Sequence, residues 1–175
     1  AIVACIGCGG AARLRVTKAL DAQLSDHDTV YITATGTPAE VARAARKLEQ
    51  ILGKRLTQGK VFKSVSPDGD VVISCKITHM QFGDEDSRDI SLRGKAEVTV
   101  EVRITEPDGT LLGHVTVTAS ARKRNAEDEA AVRALDLAAD KIYEYLPEHA
   151  EAAGEAGGKA KPKAKPADAG EAADD

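Results

Sequence analysis

Read from residue 28 onward, the chain alternates between two hydrophobic periods. Residues 28–37, DTVYITATGT, place Val30, Ile32 and Ala34 on one side and Tyr31, Thr33 and Thr35 on the other. That period of two predicts a strand. The next segment changes to helical spacing, with Val41, Ala45, Leu48, Leu52 and Leu56 forming a stripe that Ala44 and Ile51 widen. Thr37 is placed to cap this helix, with Pro38 in its first turn and Glu40 completing a capping box. The helix is expected to end near Gly59.

The period of two then returns. KVFKSV and DVVISCKITHMQF read as a short and a long strand around Pro67-Asp68-Gly69. GKAEVTVEVRIT and TLLGHVTVTASAR flank Pro107-Asp108-Gly109. Proline presets such a turn and glycine supplies its positive φ, so both are expected to be tight hairpins. Val98, Val100, Val102 and Ile104 alternate with Glu97, Thr99, Glu101 and Arg103, and Val115, Val117 and Ala119 alternate with Thr116, Thr118 and Ser120. Antiparallel strands with one buried and one solvated face carry this pattern. A second amphipathic helix follows, with Asn125 or an acid after it as the cap. Its stripe is Val132, Leu135, Ala139, Ile142 and Leu146, and Pro147 is its expected stop. The order β-α-β-β-β-β-α predicts an α+β fold. It is a two-layer sandwich in which two helices cover one face of a mostly antiparallel sheet of four to five strands.

The ends lack this patterning. Residues 148–175 contain no aliphatic side chain larger than alanine, and the run KAKPKAKP within them is basic. Such a segment buries too little surface to offset the entropy of ordering, so a disordered tail is expected, able at most to touch an anionic surface. Residues 9–27 read as a linker, either flexible with a mean reach of about 25 Å or holding a short helix with Leu14, Leu20 and Leu24 on one side. The folded unit is therefore expected at 28–147, and a chain cut to those residues is expected to fold alone.

Residues 1–8 contain two of the three cysteines. Ile2-Val3-Ala4-Cys5 fits a lipobox, in which a small residue before the cysteine permits close approach at the scissile bond and the thiol accepts diacylglycerol. Cys5 is the better match. Cys8 has Gly7 before it but Cys5 where an aliphatic residue is wanted, and is the second candidate. The absence of an initiating methionine is expected of a chain that begins inside a signal peptide. The alternative reading of Cys-x-x-Cys as a redox or zinc site lacks a helix directly behind it and lacks further ligands. Cys75 and His79 stand four residues apart on a strand, about 13 Å end to end, so they cannot share a metal. Cys75 instead falls in line with Val71, Ile73 and Ile77.

Charge and motifs narrow the function. The formal net charge is −4, against a general nucleic-acid binder. No stretch is long and apolar enough to span a membrane. Asp84, Glu85, Asp86 and Asp89 cluster in one loop without the spacing of a calcium loop, and read as a solvated connection. No nucleophile elbow, zinc-protease, phosphate-loop or dinucleotide motif occurs. His27 and His149 flank the domain, and His114 falls on the polar face. No catalytic residue, metal site or cofactor is therefore expected.

Several positions together resemble a family of small bacterial envelope lipoproteins without an established activity. The shared positions are Gly59, Phe62 and Val65; Ile73, Ile77 and Thr78; Gly94, Ala96, Val98, Val100 and Val102; and Asp108, Gly109 and Leu112. Cys75 stands where that family tends to have glycine, and the loop after Phe82 is polar where the family's is glycine-rich. The resemblance covers about residues 28–146 and implies the α+β fold and a cell-envelope location on the periplasmic side, at the outer membrane. The expected role is a lipid-anchored, non-catalytic module that binds a protein partner or joins an envelope assembly, using the sheet's solvated face or its edges. The alternative is a small apolar ligand carrier or an enzyme, which would need a pocket between helices and sheet.

The alternation makes a sharp test of register. Val100→Asp places a charge on the buried face and should unfold the domain, whereas Glu101→Ala should change stability by less than about 0.5 kcal/mol. Thermal melts check the ranking; the reverse order would move the register by one residue.

Overall fold

The computed structural model describes residues 10–21, 24–82, 94–122 and 129–156. Strands β1 (Gly10–Lys18) and β2 (Thr29–Thr35) precede helix α1 (Ala39–Gln58). Strands β3 (Ser64–Val65), β4 (Val71–Gln81), β5 (Lys95–Thr105) and β6 (Leu111–Arg122) follow, and helix α2 (Ala130–Ala156) closes the order. Among the described residues the six strands form one sheet in the order β1-β6-β5-β4-β2-β3. The α+β class and the expected order hold from Thr29 onward, with one further strand in front.

The valine ladders behave as their period demands. Val98, Val100, Val102, Val115 and Val117 are buried completely, as are Ile73 and Ile104. Both helices pack on this face: α2 lies over β1, β5 and β6, and α1 lies over β2 and β4. Leu48, Leu52 and Leu56 from α1 and Leu135, Ile142 and Leu146 from α2 complete the core. Arg55 joins the two helices from outside, with Nη2 3.3 Å from Asp136 Oδ1 and a second ion pair to Asp140.

Four expectations are corrected. First, residues 10–18 are neither a linker nor a helix. They pair antiparallel with β6, Ala12 opposite Ala119 and Leu14 opposite Val117. Arg13 and Arg15 alternate with Ala12, Leu14 and Val16, so the segment carries a strand's period. The chain then dips into the core with Leu20 and Leu24. The Leu20 N–H donates to the Tyr145 hydroxyl at 3.0 Å, which fixes this segment to α2. The folded unit begins at Gly10, not Asp28.

Second, the two Pro-Asp-Gly turns differ. Pro107-Asp108-Gly109 closes the β5–β6 hairpin, and Gly109 has φ +91. Pro67-Asp68-Gly69 does not close a hairpin. β3 and β4 both pair parallel to β2, which lies between them. Gly69 serves close approach instead: a Cβ there would stand 2.3 Å from the Tyr31 nitrogen. The sheet is consequently mixed.

Third, α1 begins at Ala39, and Pro38 occupies its cap position with no side-chain cap bond. The extended backbone of Pro38 (ψ −166) leaves Thr37 one residue too early to reach the first free N–H groups. Fourth, α2 runs past Pro147 to Ala156. Proline removes one N–H from the ladder, but the alanine- and glutamate-rich residues behind it favour helix enough to resume it. The N-cap expected at Asn125, the acidic loop with Asp84–Asp89, and residues 157–175 lie outside the described residues.

Shortening the chain to start at Asp28 removes β1, Leu20 and Leu24, and opens the whole edge of β6. Such a chain should lose about 3 kcal/mol or more against one starting at Gly10, read as a fall in the urea midpoint. Equal midpoints would return residues 10–27 to the status of a linker.

Candidate interaction surface

Among the described residues, the helices cover one face of the sheet and leave the other bare. On the bare face, side chains fall into rows set by the register. Arg13 lies beside Thr118, Thr99 and His79; Arg15 lies beside Thr116, Glu101 and Lys76; and His114 lies beside Arg103 and Ser74. Thr99 and Thr118 share a hydrogen bond of 3.2 Å between their hydroxyls. The face is built of hydroxyls and long charged side chains because β-branched threonine suits a half-solvated strand.

The charge on this face is one-sided. Arg13, Arg15, Lys76, Lys95, Arg103 and Arg122 project from it against Glu97 and Glu101, although the chain as a whole carries −4. Both acids are already engaged. Arg103 donates to Glu101 Oε1 from Nε at 3.1 Å and Nη2 at 3.0 Å. His114 Nε2 stands 3.0 Å from the same oxygen. The hydrogen bond from Arg103 is the main reason that the Glu101 carboxyl is held below its usual range. Lys95 lies 3.4 Å from Glu97. Arg13, Arg15 and Lys76 make no ion pair among the described residues. A depression of about 320 Å³ lies between β2, β4 and β5, lined by Thr33, Thr35, Ser74, Cys75, Lys76, Glu101 and Arg103.

The two edges of the sheet are unlike. β1 leaves a nine-residue edge with no strand beyond it among the described residues. At the other end β3 has only two residues. Beyond β3, the Ala34 N–H on β2 donates to the Glu49 carboxylate of α1 at 3.2 Å. A helix side chain thus takes the bond that an added strand would need.

The remaining sequence candidates divide clearly. Cys5 and Cys8 lie outside the described residues, and lipid attachment there stands as a proposal. Cys75 is buried in the core face and its thiol is pushed up to about 12, mainly by desolvation. His79 is exposed on the far side of a bulge between Ile77 and His79. His27 sits at the opposite end from the start of β1, with Asp26, Asp28, Asp70, Glu106 and Asp108 around a concavity of about 570 Å³. Asp70 there accepts from the Thr29 hydroxyl at 2.8 Å and the Thr29 N–H at 3.1 Å, which lowers its carboxyl. No acids among the described residues are arranged to hold a metal ion. An open groove of about 590 Å³ lies where the helices begin, between them and the end of β4. This is the gap that a carrier or enzyme would use, but its lining includes Glu40, Arg43, Lys47 and Glu129. The signals that sequence reasoning missed were the Arg13/Arg15 alternation, which adds two cations to the bare face, and the edge itself.

Comparison with known proteins places this architecture. The LptE family, described as lipopolysaccharide-assembly, matches residues 27–146. The chain belongs to this family, which groups small bacterial envelope lipoproteins associated with the outer membrane; they are assembly components and not enzymes. The family thus has a described role, where the sequence resemblance implied none. Among solved structures, PelC of Paraburkholderia phytofirmans, a dodecamer, is similar at a TM-score of 0.58 and 15% identity, over 78% of this chain and 97% of that one. A Xanthomonas campestris protein of the DUF330 family is similar at a TM-score of 0.52 and 13% identity, over 79% of this chain and 91% of that one. At such identities the likeness is one of fold. No curated protein matches the chain.

The Cys75 thiol yields a pH prediction. Below about pH 9 it holds its proton both folded and unfolded. Between its ordinary 9.0 and about 12 only the unfolded chain releases it, so stability falls as pH rises through that window. Comparison with Cys75→Ala across this range should remove that part of the loss. With Cys5 and Cys8 replaced by serine, the folded chain should also resist a thiol reagent at about pH 8 until it is unfolded.

Proposed function

We propose that this chain is a lipid-anchored, non-catalytic subunit of lipopolysaccharide assembly, attached through Cys5 with Cys8 as the second candidate. It binds the phosphorylated saccharide of lipopolysaccharide on the bare face of its sheet. The observation that carries this reading is the cluster of cations on that face, Arg13, Arg15 and Lys76, which make no ion pair among the described residues, in a chain whose net charge is negative. Guanidinium groups recognise phosphate oxygens through paired donors. The rows of threonine and serine hydroxyls supply the hydrogen-bonding groups that sugar hydroxyls need. The family match supports the assembly role, and the fixed, helix-backed sheet supports a surface that presents these groups without rearrangement. The unpaired edge of β1 borders the same face and suits an extended segment of a protein partner, which would add a strand there.

Titration of the full chain with purified lipopolysaccharide tests the reading. Arg13→Glu with Arg15→Glu lies on an exposed edge strand and should keep the melting temperature. It should weaken binding by about tenfold or more, and by less as salt rises. Unchanged affinity in the double variant would overturn the assignment of this face.

A further inference from the structure

Edge strands are commonly kept short or covered, and among the described residues β1 is neither. It pairs with β6 on one side only. Alternate residues of an antiparallel strand turn their N–H and C=O to the same side, so half of the backbone groups of β1 face outward. The pairing is regular from Gly10 to Val16 and shifts only beyond it, which leaves a straight margin for a guest. On the core side this margin carries Ala12, Leu14 and Val16, the last 42% accessible. On the bare side it carries Arg13 and Arg15. The margin remains positive when its surroundings are counted. Beside the two arginines on β6 stand Thr118 and Thr116. Glu101 lies one strand beyond Thr116 and is held by Arg103. Lys18 pairs with Asp21 at 2.9 Å, and Lys141 with Glu144 at 2.7 Å. Residues 1–9 carry no charged side chain, and residues 123–128 carry two of each sign. The acidic connection between β4 and β5 joins the fourth and third strands from this edge.

We propose that β1 receives an extended segment of a partner protein that carries Asp or Glu at every second position. The segment adds a strand beyond β1, sets its carboxylates against Arg13 and Arg15, and lays small aliphatic side chains along Ala12, Leu14 and Val16. Strand spacing brings directly opposite side chains into reach, where unlike charges stabilise the pair and like charges destabilise it. A guanidinium can also meet a carboxylate with two parallel hydrogen bonds. Charges on an edge deter like edges, and the same field selects a guest of opposite sign. A second copy is therefore the poorer guest: the fully overlapped antiparallel register, centred on Leu14, sets Arg13 of one chain against Arg15 of the other. The inference deepens the proposed function and rests on it in one respect. The same two arginines hold lipopolysaccharide phosphate there, so the acidic strand and the saccharide exclude one another, and arrival of the partner releases the saccharide.

The full chain with Cys5→Ser and Cys8→Ser is titrated with the end-blocked peptide TEVEVEVT and with its lysine counterpart TKVKVKVT, each followed by the anisotropy of an attached dye. The acidic peptide should bind about tenfold more tightly or better, and Arg13→Glu with Arg15→Glu should reverse the preference. Amide hydrogen exchange between Gly10 and Val16 should slow when the acidic peptide binds. N-methylation of the peptide's valines or of its glutamates should abolish binding in one case only, because alternate N–H groups face β1. Equal binding of the two peptides overturns the proposal, as does binding without slower exchange in β1. So does exchange already slow at every β1 amide of the free chain, which would mean that another segment of the chain or a second copy holds the edge. Competition separates this inference from the lipopolysaccharide reading. At about ten times its Kd the acidic peptide should weaken lipopolysaccharide binding by about tenfold. Reversal of the peptide preference beside undisturbed lipopolysaccharide binding removes the saccharide from these arginines and leaves the strand. Loss of lipopolysaccharide binding in the glutamate variant, with no peptide preference in either chain, removes the strand and leaves the saccharide.

Discussion

The strict alternation along β5 and β6 is the constraint on which everything else depends. With three tyrosines, two phenylalanines and no tryptophan in the chain, there are few large rings to fill gaps. The core must therefore be closed by many small, regular contacts. Valine at every second position provides them, because its branched side chain packs well on a pleated surface and has little rotamer freedom to lose. The same period forces the intervening residues to the opposite side. Burial of Val98, Val100, Val102, Val115 and Val117 thus dictates where the helices sit, and also leaves the face with Arg15, Lys76 and Arg103 uncovered. Core and interaction surface are two readings of one pattern.

That coupling explains what the sequence made legible. The long strands and both helices announced themselves by period, and the hairpin at Pro107-Asp108-Gly109 by its turn chemistry. Burial of Cys75 followed from its neighbours Ile73 and Ile77. What stayed hidden was non-local. Nothing in Pro67-Asp68-Gly69 says that β2 will lie between β3 and β4. That placement comes from α1, which returns the chain to the far end and lets β3 and β4 join β2 in parallel. β1 was obscured differently. Its inward residues are Ala12 and Leu14, and its outward ones are Arg13 and Arg15, so weak hydrophobicity concealed a regular alternation. Only the unfilled edge of β6 gives that segment its reason to be a strand.

The candidate surface was legible in kind and not in extent. A solvated sheet face was foreseeable from the polar half of each strand. Its sign was not, because the net charge of −4 averages over an acidic end and a basic face. The distribution becomes visible only once register assigns each charge to a row. The polarity from end to end has the same origin: acids collect at the turns that hold Asp70 and Asp108, where carboxylates satisfy backbone and hydroxyl donors.

The contact between Glu49 and the Ala34 amide has a consequence for association stoichiometry. A sheet open at both margins can recruit strands indefinitely, each newcomer offering the next template, which is how fibrils propagate. Here one margin is occupied by the protein's own carboxylate and by a stub of two residues, and the other runs the length of β1. Pairing of two copies through β1 is therefore self-terminating: each uses its one long margin, and the joined sheet ends on both sides in the blocked one. Under those terms a chain at high local concentration can keep a reactive margin without polymerising.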